Sequence, residues 1–282
     1  MKKEILFPGL ALLGGAAGFG LRHWQLSAAV DPRSGIIRFS HPATLGLVLL
    51  TALMVLAFLL LSQKAACPEE LPTVFYCPDP LYMALMAAAG LLLLAAGGLG
   101  LMQTLSSYQS LRVSLPPEGI VSFPVMEVLY SALCLPAGAS ALVFGRYNYR
   151  GLSSPGYPLS SLAPGYLALL LLIGYYVDHS NDPLLLRYAW SLLGWVTTLL
   201  ALYRIAGCCY RKAVPKSTLF FCGAAVYFQL VSLADRPERG QLICTAALVL
   251  YLTAQSAALV RNSFGTPRMP SGAQENGTKI DE

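Results

Sequence analysis

Residues 43–61 read ATLGLVLLTALMVLAFLLL. Nineteen consecutive positions carry no charge and no proline. Apolar side chains cover every face of the turn, so a helix built from them presents no side to water. At 1.5 Å per residue such a helix rises about 28 Å, close to the thickness of a bilayer's hydrocarbon core. A strand or loop there would leave backbone N–H and C=O groups unpaired in lipid. The stretch therefore reads as a membrane-spanning helix.

Seven further stretches follow the same logic: about 5–21, 81–102, 123–145, about 159–177, 183–203, 217–234 and 241–260. The composition agrees. Of 282 residues, 56% are hydrophobic and only 12% charged, with a mean hydropathy of +0.59. Soluble domains carry about 25% charged residues. The expected fold is all-α, a polytopic transmembrane bundle of about eight spans over residues 1–262. The last twenty residues, SFGTPRMPSGAQENGTKIDE at 263–282, are polar and aperiodic and read as a disordered cytoplasmic tail. The first span has an alternative. MKKE before an apolar run resembles a signal peptide, and its cleavage would leave seven spans. The short MKKE start and the lack of a sorting signal suit a bacterial cell membrane.

Charge orients the bundle. Let side A hold the N-terminus, the loops after spans two, four and six, and the tail. Side A then carries twelve Lys and Arg against seven on side B. RIAGCCYRKAVPK at 204–216 is the densest basic stretch. The positive-inside rule places side A, with both termini, in the cytoplasm. The net charge of +5 is scattered over many loops, so no nucleic-acid surface is expected. The partners implied are the lipid bilayer, and a membrane protein or a second copy of the chain.

The loop AACPEELPTVFYCPDP at 65–80 opposes this orientation weakly. Cys67 and Cys77 are spaced to bridge in an oxidising compartment, whereas cytoplasmic cysteines stay reduced. Cys134, Cys222 and Cys244 fall within spans and read as small apolar fillers. Cys208 and Cys209 read as plain thiols at an interface. No C-x-x-C spacing occurs, and no metal site or cofactor is implied.

Polar residues inside an apolar span mark function. Glu127 and Arg187 each lie about one turn inside spans four and six, entering from side B, where they can pair. Gln229 and Gln255 lie deeper. His23, Asp178 and His179 stand on the same side, as do His41, Asp182 and Asp235. Glu127, Arg187, His23, Asp178 and His179 are the candidate ligand-binding residues. The 22–42 loop, with Asp31–Gly35 as a turn between two short extended pieces, is the longest polar connection on that face.

Enzyme motifs fail in turn. GGAAGFG at 14–20 lies inside a span with no preceding strand, and its Gly14-x-x-x-Gly18 spacing suits close helix packing. Gly138-Ala139-Ser140 resembles the serine motif of rhomboid-type intramembrane proteases over three residues. Such a serine needs a base beside it, and the helix-adjacent histidines lie at the opposite membrane face. No H-E-x-x-H, Walker A or G-x-S-x-G sequence occurs, so no catalytic residue is assigned. The expectation is a permease-like or ligand-binding membrane protein with a polar mouth on its non-cytoplasmic face. The alternative is a scaffold or signalling subunit joined to a partner through small-residue faces at Gly14–Gly20 and Ala95–Gly100.

Overall fold

The structure, a computed structural model, describes residues 3–31, 37–66, 74–114, 123–152, 155–180, 185–210, 212 and 214–264, with backbone alone at 3–5, 111–114 and 185–187. The described residues form nine α-helices: α1 Lys3–Ala28, α2 Pro42–Ser62, α3 Pro80–Ser114, α4 Val125–Arg150, α5 Gly156–Ser160, α6 Ala163–His179, α7 Leu185–Cys209, α8 Pro215–Ser232 and α9 Arg239–Phe264. A 3₁₀ turn, Leu233–Asp235, joins α8 to α9. Among the described residues, strand pairing is limited to one antiparallel bridge, Val30 to Ile37.

Seven of the helical stretches are long and apolar enough to cross a membrane, and the chain is an all-α, multi-pass integral membrane protein. α1 stands outside these seven, which are counted over the described residues alone and so without the side chains of Lys3, Glu4 and Ile5. It nevertheless runs along α8, α2 and α9 and puts Phe7, Ala11 and Arg22 into the interior. The expected fifth span divides into α5 and α6, where Ser160 and Ser161 hydroxyls donate to the carbonyls of Tyr157 and Pro158.

α8 and α9 form the axis of the bundle. Their antiparallel pairing follows from the short turn between them. In α9, 78% of the span is buried, against 22% in α2, which lies on the lipid side. Around the axis run α1, α7, α6, α4 and α3, each packed on the next or on the axis itself. Lipid tails are as apolar as leucine, so packing rather than the hydrophobic effect holds such helices together. Small residues let backbones approach. A Cβ built on Gly138 would lie 2.7 Å from the carbonyl oxygen of Gly90 across the α3–α4 seam. Gly14, Gly15 and Gly18 meet Met54, Leu230 and Val231, while Gly97 and Gly100 meet Ser131. Within the two small-residue faces, Gly14, Gly15, Gly18, Gly97 and Gly100 are thus engaged inside the bundle, whereas Gly20 and Gly98 meet nothing within 4 Å.

α3 is longer than expected. It continues past residue 102 to Ser114, 35 residues in all, because neither Pro nor Gly follows Gly100 until Pro116. At about 52 Å it outruns a bilayer core. Ser263 and Phe264 complete α9, so the tail begins beyond them. The tail itself, Cys67 and Asp182 lie outside the described residues.

The A end is closed. Asn148 Nδ2 donates to the Tyr82 hydroxyl at 3.0 Å, and Tyr157 donates to Asn148 Oδ1 at 2.9 Å. Gln255 Nε2 reaches the same Tyr82 oxygen at 3.1 Å. Asn262 Nδ2 donates to the carbonyls of Val74 and Tyr76, and Cys77 N–H to that of Asn148, which clamps the loop before α3 over this end. Cys77 is a free thiol under Arg261, whose Nη1 lies 3.4 Å from its sulfur. Burial pushes that thiol above its ordinary range, and Arg261 opposes the shift.

Candidate functional site

The B end is built differently. Arg22, in the last two turns of α1, is fully buried. Its Nε and Nη2 both lie 2.9 Å from Asp235 Oδ1, and Nη1 donates to Gln25 Oε1 at 2.8 Å. Gln25 Nε2 donates to Thr44 Oγ1 at 3.0 Å, and Thr44 in turn to the carbonyl of Arg38 at 3.1 Å. Ser191 donates to Asp235 Oδ2 at 2.8 Å. A charge taken out of water is tolerable only when paired and hydrogen-bonded. This network meets that condition and ties together α1, α2, α7 and the α8–α9 turn.

Beside it opens a polar hollow of about 540 Å³, lined by Glu127, Tyr175, Asp178, His179, Tyr188, Asp235 and Glu238 among others. Three of the five candidate residues, Glu127, Asp178 and His179, meet here. They come from the start of α4 and the end of α6, helices that pack on one another. The His179 ring stacks on Tyr175 with centroids 4.4 Å apart and tilts against Tyr188 at 4.1 Å. Its Nδ1 lies 2.9 Å from the Tyr175 carbonyl oxygen. A carbonyl only accepts, so Nδ1 carries the proton and Nε2 is left for another partner. Glu127 is exposed at the rim, with Thr104 Oγ1 at 3.5 Å.

The other two candidates are placed differently. His23 stays on the outer face of α1, stacked on Phe19 at 6.3 Å, and lines neither this hollow nor the next. Arg187 belongs to the first turn of α7, and its side chain lies outside the described residues, so the pairing with Glu127 does too.

A second hollow of about 560 Å³ lies on the far side of Glu127 and Glu238, which line both. Its walls are the polar extension of α3 (Gln103, Thr104, Ser107, Tyr108), the start of α4 and the start of α9. Sequence reasoning missed this wall by ending the third span near residue 102. It also missed the Arg22–Asp235 pair, whose one signal was an arginine closing an apolar run.

Among the described residues, no three His, Cys, Asp or Glu side chains converge as a metal site. No protein-family model, no curated protein and no solved structure matches the chain. On its own sequence and fold, the chain is a multi-pass helical membrane protein with a closed A end and a hollowed, acidic B end.

Proposed function

We propose that the protein binds a small, amine-bearing ligand at its B end and that this end faces away from the cytoplasm. The observation that carries the reading is the meeting of Glu127, Asp178 and His179 around one polar hollow of about 540 Å³. Ligand sites commonly occupy about 300–1,000 Å³. Among the described residues, the lining counts four carboxylates, from Glu127, Asp178, Asp235 and Glu238, against one guanidinium, from Arg236. Asp235 is engaged by Arg22, which leaves three carboxylates for a ligand. The faces of Tyr175 and Tyr188 suit a cation as well. The count of basic residues on side A supports the orientation.

The scaffold alternative has less support, because Gly14, Gly15, Gly18 and Gly97 already pack against neighbours within the bundle. A thermal-shift panel of amines, amino acids, sugars and carboxylates on the detergent-purified protein tests the proposal. Amine-bearing compounds are expected to raise Tm, and Glu127→Gln with Asp178→Asn to abolish the rise. A panel in which only carboxylates or sugars stabilise, or an unchanged response in the double variant, sinks it.

A further inference from the structure

Two sulfurs meet at the floor of the second hollow. Cys134 on α4 and Cys244 on α9 are free thiols, 1% and 3% exposed, with Sγ atoms 3.5 Å apart. Both line the hollow. Its shape follows from the packing: α3 lies along both α4 and α9, while the α4 and α9 backbones stand apart and meet through side chains, Cys134 with Cys244 and Phe144 with Tyr251. The cleft opens in that gap, and the sulfurs close its bottom. Glu127, Glu238 and Arg239 stand at the mouth. Cys134 follows Glu127 by seven residues, two turns along the same face of α4, or about 10 Å. Tyr130 and Ser131 line the way between.

We propose that Cys134 and Cys244 form a two-coordinate site for a thiophilic d¹⁰ cation, Cu(I) being the representative. Soft thiolate ligands select such ions over the hard cations that oxygen ligands prefer. A d¹⁰ ion accepts two ligands in a line, so the absence of a third convergent ligand among the described residues is no obstacle. At about 2.3 Å per metal–thiolate bond, a straight S–metal–S unit spans about 4.6 Å, and the sulfurs part by about 1 Å to admit the ion. The step is a ligand exchange without redox: two thiols and one M⁺ give one bis-thiolate complex of charge −1 and two protons, which leave to the water of the cleft. Glu127 and Glu238 draw cations to the mouth, and Arg239 offsets the charge of the complex. None of this requires the neighbouring hollow to bind an amine.

The test uses the full-length protein in detergent, reduced with a phosphine and titrated anaerobically with Cu(I) against a chromophoric competitor. Methyl methanethiosulfonate labelling and peptide mapping follow. The wild type is expected to bind one equivalent more than Cys134→Ser or Cys244→Ser. In either variant the affinity at this site should fall more than about tenfold, since a single thiolate cannot complete the pair. One equivalent of Cu(I) should also slow labelling of Cys134 and Cys244 in the wild type, a readout that needs no variant. Equal stoichiometry and affinity in both variants overturns the proposal. So does unchanged labelling of the two cysteines in metal-loaded wild type. Neither arm alters Glu127 or Asp178, so failure here is distinct from failure of amine binding.

Discussion

Arg22 and Asp235 are 213 residues apart in the chain and form one ion pair, with two guanidinium nitrogens 2.9 Å from the same carboxylate oxygen. The arginine is fully buried and the aspartate side chain 15% exposed. The pair fastens the end of the first helix to the turn that joins the two most buried helices. It also supplies one wall of the polar hollow through Asp235.

Removing one partner takes an opposite charge from the other. Asp235→Ala is expected to cost about 3–5 kcal/mol, because a buried guanidinium loses its counter-charge. Arg22→Met should cost less, since Asp235 keeps Ser191 and partial exposure. The double variant Arg22→Met/Asp235→Ala should be more stable than Asp235→Ala alone. Tm in detergent measures all three. A double variant no better than the sum of the singles would show that the two residues act independently.

Gly138 has no room for a side chain. A Cβ there would meet the Gly90 carbonyl oxygen at 2.7 Å and Leu94 atoms within 3 Å. Gly138→Ala is expected to push α4 off α3 at a cost of about 1–3 kcal/mol. Gly174→Ala, where nothing lies within 4 Å, should be neutral or slightly stabilising by helix propensity. Thermal denaturation of the two variants side by side checks the contrast.

Asn148 is the hub of the closed A end. It donates to Tyr82 and accepts from Tyr157. Asn148→Leu leaves the Tyr157 hydroxyl without this acceptor in a buried site, and a loss of about 1–3 kcal/mol is expected. The Cys77 N–H bond to residue 148 is made to its main-chain carbonyl and survives this change, so the loop at 74–79 should keep its resistance to limited proteolysis. A loop that becomes protease-sensitive in this variant would show that the Asn148 side chain, and not the backbone bond with Asn262, holds the clamp.

Cys77 reports on Arg261. Burial raises its thiol above the ordinary range while Arg261 pulls it down. The thiolate is the nucleophile, so Cys77 should react slowly with maleimide near pH 7 and faster as pH rises. Arg261→Gln removes the favourable charge, raises the pKa further and should slow labelling at fixed pH. Because the folded-state pKa is raised, Cys77's contribution to stability is fully present below the unfolded thiol pKa. It is lost as pH rises through the folded one. Rates normalised to urea-unfolded protein separate charge from exposure. The same labelling on intact cells reads which compartment the A end faces.

Most of the spans were legible because each helix meets lipid or apolar neighbours on every side, and that demand writes itself into consecutive residues. The end of α3 was not. Gln103–Ser114 is polar, and a hydropathy reading stops where the bilayer does, although nothing in the chain stops the helix there. Glu127, Asp178 and His179 were legible because polar groups at helix ends on one membrane side are costly to leave unexplained. Their convergence on one hollow, and the exclusion of His23 from it, depended on which helices pack on which.

The amino-acid sequence by itself determined the class of this protein, the approximate spans and the face on which polar residues gather. Those are consequences of solvent, since lipid tests every residue of a span separately. The tertiary structure decided the Arg22–Asp235 pair, the closed A end and the meeting of Cys134 with Cys244. Read singly, those cysteines are apolar fillers. They become a pair of ligands because α3 holds α4 and α9 at a distance that two side chains span, and no local pattern records a distance between helices.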